Sequence, residues 1–186
     1  MNKRVIFIHR WDGIPDSDWY PFLKKELSKR GYEALILRMP ETDYPKIENW
    51  VPKLKEATGE INENTILIGH SMGSQTIMRF LETLPEGQKV GRVIFVAGFI
   101  TLMGLTEEEK VVAKPWLETP IDLKKVKSKA DSFVAIFSDN DPFVPLEENK
   151  RVFEENLGAK VMVQHSMGHF TQNDGVTELP VLLGLV

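Results

Sequence analysis

The sequence of 186 residues contains no cysteine. A disulfide framework, a thiol nucleophile and any zinc site built on thiolates are therefore excluded. Because disulfides belong to oxidising compartments, the absence of cysteine is consistent with a cytoplasmic protein, which is our expectation.

Long uncharged apolar runs and an excess of basic residues are also missing. No run reaches the roughly 18 residues that a membrane span requires, and the N-terminal segment lacks the apolar core and cleavage site of a signal peptide. Lysine and arginine number 23 against 27 aspartates and glutamates, which gives a net charge of −4. Because phosphate binding needs a concentrated basic face, we expect neither a nucleic acid nor a membrane as a partner.

Segments with strand character alternate with segments of helical periodicity along the chain. Short apolar stretches rich in β-branched residues predict strands at 4–9, 33–37, 64–68, 92–97, 132–137 and 160–163. The alternation predicts a single α/β domain over residues 1–186, with a mostly parallel central sheet and helices on both faces.

The helix boundaries follow from capping residues, glycines and prolines. A first helix is expected after a cap at Asp16 or Ser17, and a second from Glu48 or later, so that Pro52 falls within its first turn. Further helices are expected behind Ser71, at 122–129, at 146–156 and from residue 176 onward. Residues 98–120 show a less regular pattern.

The pentapeptide Gly69-His70-Ser71-Met72-Gly73 stands between a predicted strand and a predicted helix. In that context G-x-S-x-G indicates a nucleophile elbow, a turn so tight that the serine is forced into a strained backbone conformation. The two glycines let the strand and the helix approach without a Cβ clash, and the helix N-terminus favours negative charge that develops at the serine. The alternative is a turn that only packs, or one that holds a phosphate.

Polar side chains follow the ends of four predicted strands. Ligands bind beyond the carboxyl ends of parallel strands, so we expect these residues to share one edge of the sheet: His9, Arg10, Ser71, Asp139 or Asp141, and His165 or His169. The chain order serine, aspartate, histidine is that of the α/β-hydrolase triad. A serine hydroxyl needs an imidazole to take its proton and a carboxylate to orient that imidazole. Position alone leaves both aspartates and both histidines open.

The sequence resembles the small, cap-less serine hydrolases that include retinoblastoma-binding protein 9 and its bacterial relatives. The motifs that carry the resemblance span nearly the whole chain: the His9 loop with Trp19, the elbow at 69–73, the segment 138–145 and Gly168-His169-Phe170. The resemblance implies an α/β-hydrolase fold without a large cap, and a catalytic triad of Ser71, Asp141 and His169. It also implies hydrolysis of small esters or of aminoacyl groups.

The resemblance further implies that the backbone N–H groups of Met72 and Trp11 form the oxyanion hole. Members of the family usually carry His-Gly and an aromatic residue after the first strand, where this chain has His9-Arg10-Trp11. Because arginine resists a positive φ more than glycine does, this substitution bears directly on the geometry of the loop.

Two placements of the Arg10 guanidinium are physically open. It can extend into solvent, toward Asp12 or Asp16, which is the placement we favour because exposed arginines commonly meet nearby acids. It can instead reach the rim of the cleft and attract an acidic group of the substrate, which its fixed charge and forked donors suit.

The remaining candidates have structural interpretations. We expect His9 to brace a loop, and we assign no chemistry to His70. His165 and His169 have the i, i+4 spacing of a metal site, but Gly168 and the lack of cysteine argue against zinc, and we expect no metal. One apolar stripe is equally compatible with core packing and with the wall of an acyl pocket: Phe99, Ile100, Leu102, Met103 and Leu105.

The sequence therefore predicts a carboxylesterase-like serine hydrolase that cleaves small carboxylic esters or related acyl compounds through an acyl-enzyme. A small-molecule acyl substrate is the expected partner, and no cofactor is expected. One alternative is a weakly catalytic or non-catalytic protein-binding module on the same scaffold, since fold does not determine function. The other is a hydrolase of aminoacyl amides.

Overall fold

A six-stranded, wholly parallel sheet forms the centre of the protein in the computed structural model, which describes residues 3–186. Its strands lie in the order β2-β1-β3-β4-β5-β6. Their bounds are β1 (Arg4–Ile8), β2 (Glu33–Ile36), β3 (Thr65–His70), β4 (Arg92–Val96), β5 (Phe133–Ser138) and β6 (Lys160–Gln164). Every residue of β3 and β5 is buried, as continuous apolar strands in the middle of a parallel sheet require. The predicted α/β class is confirmed.

Within the described part of the chain, six α-helices connect the strands. They are α1 (Tyr20–Lys29), α2 (Ile47–Thr58), α3 (Met72–Glu82), α4 (Glu107–Glu118), α5 (Leu123–Lys127) and α6 (Leu146–Val152). The last continues as a π-helical turn over Phe153–Leu157 and ends at Gly158, whose φ is 67°. Two 3₁₀ turns follow, at Gln172–Asp174 and Pro180–Gly184.

The direction of each crossover distributes the helices over the two faces. The chain moves one way along the sheet from β1 to β2 and the opposite way in every later connection. Because parallel crossovers are right-handed, α1 covers one face and α2 to α6 the other. The packing agrees, since α3 contacts both α2 and α5, whereas α1 contacts the 3₁₀ turn at Pro180–Gly184. Helices therefore lie on both faces, as predicted.

Two predicted helix starts were wrong. The first helix begins at Tyr20 without a side-chain cap, because the hydroxyl of Ser17 is hydrogen-bonded within the preceding loop and the carboxylate of Asp16 faces Arg38. The second helix begins at Ile47, so Pro52 lies beyond its first turn. The proline leaves the carbonyl of Glu48 without its helical partner, but Glu48 is exposed and water can serve that carbonyl.

Two other stretches also differ from expectation. Residue 176 onward forms only the 3₁₀ turn at Pro180–Gly184 rather than a closing α-helix. The stretch 98–120, whose sequence pattern is less regular, contains α4. A capping box starts this helix: the Thr106 side chain accepts from the Glu109 N–H, and the Glu109 side chain accepts from the Thr106 N–H. The predicted domain span also includes residues 1 and 2, which lie outside the described residues.

The parallel sheet brings four loops to one edge. The loops after β1, β3, β5 and β6 all leave the carboxyl ends of their strands, so the residues that follow those strands share that edge. Within residues 3–186, no helix has the combination of length and apolar character that crossing a bilayer demands.

Candidate active site

Ser71 occupies the tight turn between β3 and α3. Its φ is 51° and its ψ is −113°, a conformation that a residue with a side chain adopts only where its surroundings enforce it. The Ser71 N–H donates to the carbonyl of Val96 at 2.8 Å, which fixes the turn to the neighbouring strand. The serine therefore has the strained backbone that a nucleophile elbow requires.

The two glycines of the pentapeptide are required by close backbone contacts. A Cβ on Gly69 would lie 2.7 Å from the carbonyl oxygen of Gly73, closer than side chains approach such atoms. A Cβ on Gly73 would overlap the carbonyl oxygen of Ile8 on β1. The absence of side chains at both positions thus lets α3 begin directly against β1 and β3.

Asp141 and His169 form a buried pair. Asp141 Oδ2 lies 2.8 Å from His169 Nδ1, and both residues are almost inaccessible to solvent. Asp141 Oδ1 also accepts from the backbone N–H groups of Phe143 and Val144, at 2.9 and 3.1 Å. The His169 N–H donates to Asp174 Oδ2 at 3.0 Å. Both partners are therefore held by their own loops as well as by each other.

Asp139 and His165, the alternative acid and base, form a separate pair at the surface. His165 Nδ1 lies 2.5 Å from Asp139 Oδ2, and the side chain of His165 is 87% exposed. The N–H of Ser166 and the His165 side chain both hydrogen-bond to Asp139 and lower the pKa of its carboxyl. The structure thus sorts the four candidates into one buried and one exposed pair.

A cleft of about 490 Å³ opens beside the elbow. Its lining includes Ser71, Met72, Trp11 and His169 together with eleven other residues: Arg10, Asp12, Phe99, Leu102, Leu105, Glu109, Pro142, Phe143, Thr171, Asn173 and Asp174. Among the hydrogen bonds of the described chain there is none between the Ser71 hydroxyl and His169. The structure therefore places Ser71 and His169 at one cleft and pairs His169 with Asp141, but Ser71 and His169 are not hydrogen-bonded to each other.

The two predicted oxyanion donors also border this cleft. Met72 is the first residue of α3, where a backbone N–H has no partner within the helix. Trp11 lies in the loop after β1, and its indole Nε1 donates to the carbonyl of Asp43 at 3.0 Å. Arg10 does not take a positive φ, whereas Asp12 does, with φ 56°. The arginine is accommodated because the left-handed position of the loop falls two residues later.

Arg10 does not extend toward Asp12 or Asp16, so the placement that we favoured was wrong. Its Nε donates to Asp18 Oδ2 at 2.8 Å, and the side chain of Asp18 is fully buried. Asp16 instead faces Arg38, with 3.7 Å between their charged atoms. The sequence offered three acids near Arg10, and the turn that precedes α1 presents only Asp18 to it.

His9 braces the first loop, as predicted. Its Nδ1 lies 2.8 Å from the carbonyl of Arg10, and its Nε2 accepts from the Met39 N–H at 3.1 Å. A carbonyl can only accept, so Nδ1 carries the proton and the ring is neutral. Burial lowers the pKa of His9, which agrees with that assignment.

His70 links the elbow to two other segments. Its Nε2 lies 2.8 Å from the carbonyl of His169 and must carry a proton, whereas its Nδ1 lies 2.7 Å from the Tyr20 hydroxyl. Complete burial, together with electrostatic repulsion from the neighbouring His169, lowers the pKa of His70 to about 3. The neutral ring thus accepts a hydrogen bond from Tyr20 and donates one to the backbone of His169.

The residues of the apolar stripe at 99–105 differ in their surroundings: some line the cleft and others do not. Phe99, Leu102 and Leu105 line the cleft. Ile100 packs against the core, and the side chain of Met103 points outward with 46% exposure. A close approach at Gly104, where a Cβ would lie 2.7 Å from the carbonyl of Pro142, holds this segment against the loop of Asp141.

Several cleft residues were not identified from the sequence. Phe143 follows the Asp141 turn, and its ring lies edge-on to that of His169 with 5.3 Å between centroids. Glu109 and Asp174 belong to capping boxes of the form Thr-x-x-acid, which were visible in the sequence as helix-start signals. Within residues 3–186 no group of three or more His, Cys, Asp and Glu side chains is arranged to hold a metal ion.

Comparison with known proteins gives consistent results for the whole chain. A model of the serine hydrolase family matches residues 5–186. YdeN of Bacillus subtilis strain 168 is 34% identical over 186 residues, which cover 98% of this chain and 93% of that protein. The serine hydrolase RBBP9 of Rattus norvegicus is 30% identical over 162 residues, 87% of this chain and 82% of its own.

Solved structures show the same fold. The crystal structure of the ydeN gene product from B. subtilis superposes with a TM-score of 0.90 at 30% identity and covers 99% of this chain and 96% of its own. Est1E from Butyrivibrio proteoclasticus, solved with ferulic acid bound, reaches a TM-score of 0.72 at 14% identity, with 97% and 88% covered. That level of identity shows the fold alone. By its family match and its relatives, this chain belongs to the serine hydrolase family and has the α/β-hydrolase fold.

Proposed function

We propose that this serine hydrolase cleaves small carboxylic esters through an acyl-enzyme formed on Ser71. The observation that carries the proposal is the buried pair of Asp141 and His169, whose imidazole borders the same cleft as Ser71. A buried carboxylate on Nδ1 holds one tautomer of the ring and leaves Nε2 as the acceptor, which is the state a general base needs.

The proposed reaction assigns one task to each side chain. Ser71 Oγ attacks the ester carbonyl while His169 Nε2 takes its proton. Asp141 orients His169 and stabilises the imidazolium that forms. The leaving alcohol then takes that proton, and a water molecule activated by the same histidine hydrolyses the acyl-enzyme. Catalytic hydrogen bonds are often long without substrate, so the missing contact between Ser71 and His169 is compatible with these roles.

The N–H groups of Met72 and Trp11 are the proposed donors to the oxyanion. The Met72 N–H stands at the start of α3, where the aligned helix dipole adds to the stabilisation of negative charge. Donors that are already in place when charge develops favour the transition state over the ground state. These two groups therefore belong to the catalytic machinery in this proposal.

The cleft suits a short acyl chain. Its volume of about 490 Å³ is within the usual range for small-molecule sites. Its lining includes the apolar side chains of Phe99, Leu102, Leu105 and Phe143 together with polar and charged side chains. We assign the acyl group to these apolar residues and the alcohol to the polar ones.

Aminoacyl substrates are the second candidate, and a specific feature favours them. Asp12 and Glu109 bring carboxylates to the cleft, while the Arg10 guanidinium is already paired with Asp18. An ammonium group on the substrate would be attracted to these acids, whereas an acidic substrate would be repelled. The two candidates share one mechanism and differ in the acyl group.

A substrate panel tests the proposal. Chromogenic acetate, butyrate and octanoate esters, together with aminoacyl esters and amides, are assayed with the wild type and with Ser71→Ala. We expect turnover of the short esters that falls by roughly 10⁴-fold in the variant, because the triad acts as a unit. A folded wild type that turns over none of these compounds would contradict the proposal and favour the protein-binding alternative.

A further inference from the structure

Asp18 is a buried, charged residue for which the proposed reaction has no role. Its carboxylate is fully buried and accepts hydrogen bonds from Arg10 Nε at 2.8 Å, from the Ser17 hydroxyl at 3.2 Å and from the Gln172 N–H at 2.9 Å. Its φ is 55°, in the region that favours glycine. A buried charge and a strained backbone both cost free energy, and such features persist where the surrounding structure requires them.

Arg10 connects this carboxylate to the loop that precedes the proposed oxyanion donor. Besides its contacts with Asp18, the guanidinium donates from Nη1 to the carbonyl of Trp11 at 3.0 Å. The Arg10 N–H donates to the Tyr20 hydroxyl at 3.2 Å. The guanidinium uses separate N–H groups in one rigid plane for the carboxylate and the carbonyl, a fixed geometry that the single ammonium of a lysine would not reproduce. The residue before Trp11 is thus fixed through both its backbone and its side chain.

The same carboxylate also holds the segment that follows the proposed base. Gln172 lies three residues after His169, and its side-chain Oε1 accepts from the Asp18 N–H at 3.3 Å. Together with the contact to its own N–H, this makes a two-point attachment across 154 positions of sequence. Asp18 therefore ties the loop after β1 to the loop after β6.

We propose that the ion pair of Arg10 and Asp18 is a positioning device that holds the Trp11 peptide where its N–H can meet the developing oxyanion. The inference rests on the proposed function, because it presupposes a tetrahedral intermediate at Ser71. Asp18 is buried away from the cleft surface, and Arg10 borders the cleft with its guanidinium bonded to Asp18 and to the Trp11 carbonyl, so both residues act through Trp11 in this scheme. A misplaced donor weakens the transition state more than it weakens the bound ester.

The test compares Asp18→Asn, Arg10→Gln and the double variant on the short ester that the wild type cleaves best. Asparagine keeps the shape of Asp18, and Arg10→Lys serves as a second, milder variant that keeps the charge but not the fork. We expect kcat to fall about 10- to 100-fold with KM within about 3-fold of the wild type. Because the two residues act through one contact, the kcat of the double variant should be about the same as that of the more impaired single variant.

Arg92→Gln is the matched control. Arg92 is the first residue of β4, at the amino end of the strand and therefore away from the loops that carry the site, and it donates to the Ser132 hydroxyl at 3.0 Å and to the carbonyl of Leu185. Its loss should lower the urea midpoint and leave kcat unchanged. If Asp18→Asn folds and keeps the wild-type kcat, or if kcat losses in the two single variants add, the positioning role is wrong while Ser71-dependent turnover still stands. A wild type without Ser71-dependent turnover would overturn both.

Discussion

Asp141 Oδ2 lies 2.8 Å from His169 Nδ1, and the side chains of both residues are almost completely buried. The exposed pair of Asp139 and His165 is the natural comparison, because it consists of the same two residue types in the same two loops. Burial excludes the water molecules that would otherwise compete with Asp141 for the hydrogen bond to the His169 imidazole. Only the buried pair can therefore hold one tautomer of a histidine beside Ser71.

The first prediction separates the two acids. Asp141→Asn should reduce kcat by about 10³- to 10⁴-fold, because an amide can stabilise the wrong tautomer of His169 and cannot stabilise its charged form. Asp139→Asn, the matched control, should keep kcat within about 3-fold of the wild type, because its partner is exposed. Steady-state kinetics on a short ester, with circular dichroism as a check of folding, decides between them. The reverse ranking would reassign the acid.

The second prediction concerns the elbow itself. Gly73→Ala should lower the free energy of unfolding by about 1–3 kcal/mol and reduce the yield of folded protein, because its Cβ would overlap the carbonyl of Ile8. Gly184→Ala is the control, since nothing lies within 4 Å of a Cβ at that position. Urea unfolding measures both variants. An alanine at position 73 that costs no more than one at 184 would show that the close approach is unnecessary.

The third prediction concerns the acyl wall. Leu102→Phe should narrow the cleft and lower kcat/KM for butyrate relative to acetate by about 10-fold, the usual effect of a methylene-sized change in an apolar pocket. Met103→Phe is the control, because the neighbouring side chain points outward. The ratio of kcat/KM for the two esters is the measurement. An unchanged ratio in Leu102→Phe would place the acyl group elsewhere.

The fourth prediction follows from the buried His70. Its pKa is about 3 in the folded protein, below its ordinary value of 6.5. Between these two pKa values the unfolded chain binds more protons than the folded one. The contribution of neutral His70 to the free energy of unfolding is therefore fully present above pH 6.5 and is lost as the pH falls. The slope from this residue should approach about 1.4 kcal/mol per pH unit.

Urea denaturation between pH 7 and pH 4.5 measures that slope. His9, whose pKa burial also lowers, should add to it in the same direction. A His70→Gln variant should show a shallower slope than the wild type. A wild type with constant stability over this range would contradict the neutral, buried assignment of His70.

Local sequence patterns were enough to predict the sheet and the elbow. All six strands were predicted, because each is a short apolar run bounded by turn residues. The elbow was recognisable because strand, G-x-S-x-G and helix are contiguous in sequence. Helix α4 was not predicted, because Pro115 and three successive acids interrupt the apolar periodicity of the segment. The capping box of Thr106 and Glu109 is nevertheless a sequence signal for its start.

Contacts between distant segments could not be predicted in the same way. Asp18 meets Gln172 across 154 positions, and no local pattern connects them. Three acids lie near Arg10 in the sequence, and the conformation of the loop before α1 determines that Asp18 is the one that pairs with it. His70 likewise joins Tyr20 to the backbone of His169, which only the assembled sheet brings together.

The most direct test of the central claim is to identify the residue that a fluorophosphonate probe modifies. The native protein is treated with the probe, digested and mapped by tandem mass spectrometry, with Ser71→Ala and the heat-denatured wild type as controls. The account predicts a single adduct on Ser71 that both controls lack, because only the folded elbow beside His169 activates a serine. An adduct on another residue, or none on folded protein, would contradict the claim that Ser71 is the nucleophile.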